Sequence, residues 1–172
     1  MTLGQAKQIV RFLLDGETVS EYEEKLNTYF DLGQKRIACT TDFITREGII
    51  STDAPCEVDL SERFERFYRI KNIKGGKWER LSPTKVHLEA GQYTIQYDIY
   101  PTTITPHTED SYEFEISPAA QTALPYFAAA QVTIAEHDLR YHQVYYDEFA
   151  TILENVDAAR RSGNIFVTGG LL

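Results

Sequence analysis

The sequence predicts an α+β chain. Two N-terminal and two C-terminal helices form a four-helix bundle, an antiparallel β-subdomain is inserted between the pairs, and a short apolar tail ends the chain, either as an extended arm or packed on its own domain. Three observations predict this. Apolar residues recur three and four apart at both ends of the chain, as on a buried helical stripe. From Ile49 the period changes to two, as in strands. After Ser162-Gly163 a short apolar tail follows where a free end is usually polar. The expected layout is 1–48 with 117–162 as the bundle, 49–116 as the insert and 163–172 as the arm.

Thr2 caps a first helix through about Leu14, with Leu3, Ala6, Val10 and Leu13 on one face and Asp15-Gly16 as its stop. Ser20 to Glu23 reads as a capping box, with a second helix running to Phe43 or Ile44. Its apolar line is Tyr22, Leu26, Tyr29, Phe30 and Ile37, and Gly33 lies inside it. Gly48 marks the stop. In the β-region, Cys56, Val58 and Leu60 alternate with Glu57 and Asp59, and Tyr68 and Ile70 with Arg69 and Lys71. Gly75-Gly76 reads as a hairpin turn before Lys77 to Leu81, and Ala90-Gly91 as the next turn. Tyr93, Ile95, Tyr97 and Ile99 form one face of the clearest strand. Pro101 and Pro106 bound a loop, and Tyr112, Phe114 and Ile116 suggest a last strand. Ser117 and Pro118 open a third helix, with Ala120, Leu124, Phe127, Gln131 and Ile134 in line. Asp138 caps a fourth, whose stripe is Leu139, His142, Tyr146, Phe149, Leu153 and Val156.

The chain has 172 residues, 42% of them hydrophobic, enough for a substantial core. No apolar run approaches the ~20 residues that span a bilayer, so no membrane partner is expected. The first residues lack a cleavage site of signal-peptide type. Cys39 and Cys56 have no metal-type spacing and read as free thiols, with a disulfide as the other reading. The net charge of −9 argues against a general phosphate-gripping surface. With 11 Tyr and 9 Phe the chain is rich in aromatics, which suits a compact core or large protein contacts.

No catalytic, cofactor or metal site is expected. His137 and His142 are five apart, off the spacing that puts two ligands on one helical face. Glu113 and Glu115 read as the solvated face of a strand, and the Glu21, Glu23, Glu24 run as a dipole-favoured first turn. Nucleophile-elbow, phosphate-loop and dinucleotide patterns are missing from the sequence. The basic run from Arg63 to Arg80 is locally unusual in an acidic chain. Arg69, Lys71, Lys77 and Trp78 are its candidate contact residues. A solvated sheet face, an acidic protein partner and nucleic acid are its three readings, in that order.

Several stretches carry a resemblance. They are the opening MTLGQAKQIVRFLLDG, the helix ending YFDLGQKRIACTTDFI, the segments ERFYRIKNI and GQYTIQYDIYPTTITPHTEDSYEFEISPAA, and the closing ALPYFAAAQVTIAEHDLRYHQVYYDEFATIL. In pattern and order the chain resembles head–tail connector (adaptor) proteins of tailed bacteriophages of Gram-positive hosts. The resemblance implies a non-enzymatic virion protein, made in the bacterial cytoplasm and placed in the neck between capsid and tail. Such proteins form a ring of about twelve copies below the portal protein. The ring extends the channel through which genomic DNA passes without sequence readout, and docks the next neck or tail protein.

On that reading Ile165, Phe166, Val167 and Leu171 are protein-contact residues of the C-terminal arm. From the residues alone, the tail either packs on its own domain or reaches a neighbour. The rival function is a monomeric binding module whose β-insert recognises a peptide, carbohydrate or nucleic acid.

Overall fold

A computed structural model describes residues 1–14 and 16–162, the side chains of 16–21 excepted. The fold is mixed helix and sheet. In order, the elements are α1 (Leu3–Leu13), α2 (Gly16–Thr40), β1 (Ile44–Thr52), β2 (Cys56–Asp59), α3 (Leu60–Arg63), β3 (Phe67–Gly75), β4 (Trp78–Arg80), β5 (Lys85–Leu88), β6 (Gly91–Ile99), α4 (Pro118–Gln121), α5 (Leu124–Ala135) and α6 (Leu139–Ser162). The chain divides into two compact units. Met1–Ile37 and the described residues from Thr103 onward form one, and Ala38–Thr102 the other. The sequence pattern placed the insert at 49–116, and the compact unit lies earlier at both ends.

In the helical unit, Thr2 and Gln5 form a capping box. The Thr2 hydroxyl accepts from the Gln5 N–H, and Gln5 Oε1 accepts from the Thr2 N–H at 2.9 Å. Leu3, Ala6 and Val10 are buried on one stripe. Helix α2 starts at Gly16, so Ser20 lies within it and not at its cap. It ends at Thr40, short of Phe43, where the poor helix formers Thr40, Thr41 and Asp42 favour a turn. Gly33 has a packing reason: a Cβ there would lie 2.9 Å from Phe127 and 3.1 Å from Leu124, so α5 passes α2 closely at this point.

The expected third helix is broken in two. Ser117 caps α4 and Pro118 sits in its first turn. Pro125 then prevents continuation: it lacks an N–H, and its ring would meet the carbonyl four residues back. Helix α5 therefore restarts at Leu124. Leu124, Phe127, Ala128, Ala129, Ala130 and Val132 are all buried, covering every side of α5, as expected of the central helix of a unit. Ile134 leaves the expected stripe and is exposed. The Asp138 carboxylate accepts from the Tyr141 N–H (3.2 Å) and caps α6. Phe149 and Val156 are the buried residues of α6, whereas Leu139 is exposed.

Residues 112–116 do not form a strand; Glu113 makes one isolated bridge, to Thr2. The Leu3 N–H donates to the Tyr112 carbonyl at 2.8 Å, and a polar row on α2 holds the loop that leads into this segment. Asn27 Nδ2 donates to the Thr105 carbonyl (2.9 Å), and Asp31 Oδ1 accepts from the Ile104 N–H (2.8 Å). The Tyr112 hydroxyl donates to Gln34 Oε1 (3.3 Å). Spaced four and three apart, these side chains share one helical face. Further on, Gln121 Nε2 donates to the Phe114 and Ile116 carbonyls at 3.0 and 2.8 Å.

The β-unit contains two three-stranded antiparallel sheets, ordered β1-β6-β3 and β2-β5-β4. Gly75-Gly76 is not a hairpin turn, and neither is Ala90-Gly91. Each carries the chain from one sheet to the other, because β3 and β6 belong to the first sheet and β4 and β5 to the second. Gly75 takes φ +136°, and a Cβ there would lie 2.5 Å from the Gln92 carbonyl oxygen. Both sheets face one core containing Val58, Val86 and Leu88 from one side and Ile73, Tyr93, Ile95 and Ile99 from the other. Tyr93 is fully buried, and its hydroxyl donates to the Lys77 carbonyl at 2.7 Å.

Candidate functional site

The outer face of the β1-β6-β3 sheet gathers part of the basic run. A bulge between Phe67 and Arg69 brings Arg69 opposite Asp98, which also pairs with Thr45 on the other side. Asp98 is fully buried. Its two oxygens accept from Arg69 Nε and from the Thr45 hydroxyl, each at 2.8 Å. Lys71 Nζ reaches the same hydroxyl oxygen at 3.1 Å. The Arg69 guanidinium lies 3.9 Å from the centre of the Phe43 ring. Arg69 is thus held by an anion and an aromatic face of its own unit, which is how a buried carboxylate is satisfied.

Lys77 and Trp78 lie elsewhere. Trp78 starts β4, an edge strand of the second sheet, and is 42% exposed. The four expected contact residues therefore divide between two sheets, with Arg69 and Lys71 on one and Lys77 and Trp78 on or beside the other. Ile165, Phe166, Val167 and Leu171 lie outside the described residues.

Other exposed side chains are more prominent. In the helical unit Phe12 is 90% exposed and Leu139 67%, with Tyr141 and Val144 also open. The signal for Phe12 was present in the sequence. The stripe Leu3, Ala6, Val10 leaves Ile9 and Phe12 on another face of α1. At the start of α6, Tyr141 stacks beside Tyr145, whose hydroxyl donates to the Leu13 carbonyl at 2.5 Å.

Among the described residues no group of three His, Cys, Asp or Glu side chains could hold a metal ion. His142 is half-buried and its Nδ1 lies 2.8 Å from the Ala130 carbonyl, which places its proton on that nitrogen. Cys39 and Cys56 are free thiols. Burial pushes the Cys39 thiol up, nearby Arg69 opposes this, and Asp98 adds to it, so the thiolate that attacks electrophiles is disfavoured. No helix among the described residues is long and apolar enough to cross a membrane.

The chain matches no protein-family model, and no curated protein matches it in sequence.

Proposed function

We propose that this chain is a non-enzymatic virion structural protein, a head–tail connector subunit. Copies assemble as a ring below the portal, extend the DNA channel and dock the next neck or tail component. The observation that carries this reading is the element order: helices α1 and α2, a β-unit of two small antiparallel sheets, then helices α4 to α6 closing the first unit. Two features support it. Phe12, Leu139, Tyr141 and Val144 are large apolar side chains open to solvent on one unit, and such residues suit burial against other subunits. The net charge of −9 suits a channel wall past which DNA slides without being held.

In this proposal the helices form a four-helix bundle, and 163–172 is an arm anchored by Ile165, Phe166, Val167 and Leu171 on the portal or a neighbouring copy. The test is the particle mass when the protein is mixed with the portal of its own virus, with and without residues 164–172. An increase of about twelve chains, lost on truncation, is the expected result. A protein that stays monomeric beside an unchanged portal refutes the connector reading.

A further inference from the structure

Strand β1 is an edge strand. It pairs with β6 along one side, from Ile44 opposite Ile99 to Thr52 opposite Gly91, and among the described residues no other strand lies beyond it in its sheet. Nine residues of extended backbone span about 30 Å. Proteins usually blunt so long an edge, because its free N–H and C=O groups template another strand.

What lies beside this edge is specific. Ile49, Ile50 and Ser51 all line one hollow together with Arg63 and Phe64. Successive strand residues point to opposite faces, so a hollow lined by three in a row lies along the strand's edge and not over a face. Ile49 is 66% exposed there. A second hollow, of about 330 Å³, is lined by Arg46, Arg63, Phe64, Glu65 and Arg66, with Tyr97 and Ile99 as apolar floor. Arg63 and Phe64 belong to both, so the two hollows adjoin as one groove.

Phe64 is fixed in place. Its ring stacks on Tyr97 with centroids 4.3 Å apart, and it occupies the space that a Cβ on Gly48 would need. Arg66 is held at φ +56°, and its guanidinium donates to the Thr102 hydroxyl at 2.8 Å. Arg46 and Arg63 have no ion-pair partner among the described residues. Positive charge is thus gathered along an open strand edge with an aromatic wall, in a chain that is otherwise strongly acidic.

We propose that this groove binds an extended acidic segment of another protein chain, which adds as a strand to β1 and places carboxylates against Arg46 and Arg63. Strand addition supplies main-chain hydrogen bonds, and alternate side chains supply selectivity. Arginine suits this role because its planar fork pairs bidentately with carboxylates. The alternating spacing of such a segment puts its acidic side chains on the arginine side and its small apolar ones against Ile49. The proposal does not depend on the connector reading, since it concerns the β-unit's own edge.

The probe is a synthetic peptide of alternating Glu and Val, titrated into the full chain at low salt and followed by fluorescence anisotropy and backbone NMR. Saturable binding is expected, with shifts along 44–52. The double variant Arg46→Glu/Arg63→Glu should bind at least about tenfold more weakly. The same peptide with Lys in place of Glu should fail to bind. Arg80→Glu, on β4 of the other sheet, is the control and should leave binding unchanged. A far-UV spectrum and melt matching the parent show that the double variant is folded. If it is not, Arg63→Gln alone replaces it. Three results overturn the proposal: no saturation by the acidic peptide, equal affinity for the folded arginine variant, or tighter binding of a single-stranded oligonucleotide at the same residues. The last would make the groove a nucleic-acid site.

Discussion

Replacing Arg69 by alanine tests whether this residue is a strut or a contact. Asp98 is fully buried and divides its oxygens between Arg69 and Thr45. Removing Arg69 leaves a buried carboxylate with one hydroxyl donor. Breaking a buried pair from one side costs about 3–5 kcal/mol. The Arg69 side chain is 45% exposed, so water can enter where it stood, and the lower end of that range applies. Losing the stacking on Phe43 adds about 0.5–1 kcal/mol. The expected loss is about 3–4 kcal/mol, a large part of the 5–15 kcal/mol that holds a typical domain together. Urea unfolding of Arg69→Ala, Asp98→Ala and the double variant reads it directly. The double variant should be less destabilised than the sum of the singles, because no charge is then stranded. A loss below about 1 kcal/mol for Arg69→Ala, or simple additivity, would show that Asp98 does not depend on Arg69 and would return the arginine to the list of contacts.

Three further outcomes follow from close approaches and a cap. Gly33→Ala gains about 0.8–1 kcal/mol of helix propensity but forces a methyl to 2.9 Å from the buried Phe127 ring, so a net loss of roughly 0.5–2 kcal/mol is expected in a denaturant melt. Gly48→Ala drives a Cβ into Phe64 and should unseat that ring from Tyr97, read as a change in near-UV circular dichroism. Asp59 accepts from the Ser61 hydroxyl at 2.6 Å and from the Ser61 N–H at 3.0 Å, and bonding to the Ser61 side chain is the first cause that lowers its pKa. A depressed folded-state pKa stabilises above the unfolded value of about 3.9, and that contribution is lost as pH falls through the folded value. Asp59→Asn should therefore flatten part of the acid limb of a stability-against-pH curve, and an unchanged limb would count against the cap.

Local signals were legible where one principle acted alone. The Thr2 and Ser117 caps, the Asp138 cap and the alternation of Tyr93, Ile95, Tyr97 and Ile99 all appear where their chemistry puts them. The failures are of a different kind. Gly75-Gly76 has the composition of a hairpin, but sheet membership depends on which strands pair, and local sequence does not carry that. Pro125 was visible, yet the alanine-rich run around it hid the break between α4 and α5. Tyr112, Phe114 and Ile116 alternate like a strand. The polar row of Asn27, Asp31 and Gln34 meets the loop before this segment and the Tyr112 hydroxyl, while the carbonyls of Tyr112, Phe114 and Ile116 are met singly by the Leu3 N–H and by Gln121, and no ladder forms. At the candidate site, charge and aromatic composition flagged the Arg63–Arg80 run. Which arginines are already spent depended on Asp98, distant in sequence, and only the pairing of β3 with β6 reveals it.

The same polar row explains how a β-unit can be carried inside a helical one, and it supports a last prediction. The chain leaves the helical unit after Ile37 and re-enters at Thr103. At that junction Lys35 Nζ bonds the Thr103 hydroxyl at 3.1 Å and the Asp31 carboxylate at 2.7 Å, while Asp31 also holds the Ile104 N–H. Exit and return are therefore clamped by residues that belong to the helical unit alone. Loop closure costs little more as an insertion lengthens, about 0.6 kcal/mol per doubling. Replacing 38–102 by a Gly-Ser linker of about six residues should accordingly leave a helical protein with a cooperative melt. Adding Asp31→Ala to that variant should cost about 1–3 kcal/mol by stranding the Ile104 N–H and the Lys35 ammonium. A linker variant that is unfolded, or folded but indifferent to Asp31→Ala, would mean that the clamp does not close the helical unit and that the β-unit is part of what stabilises it.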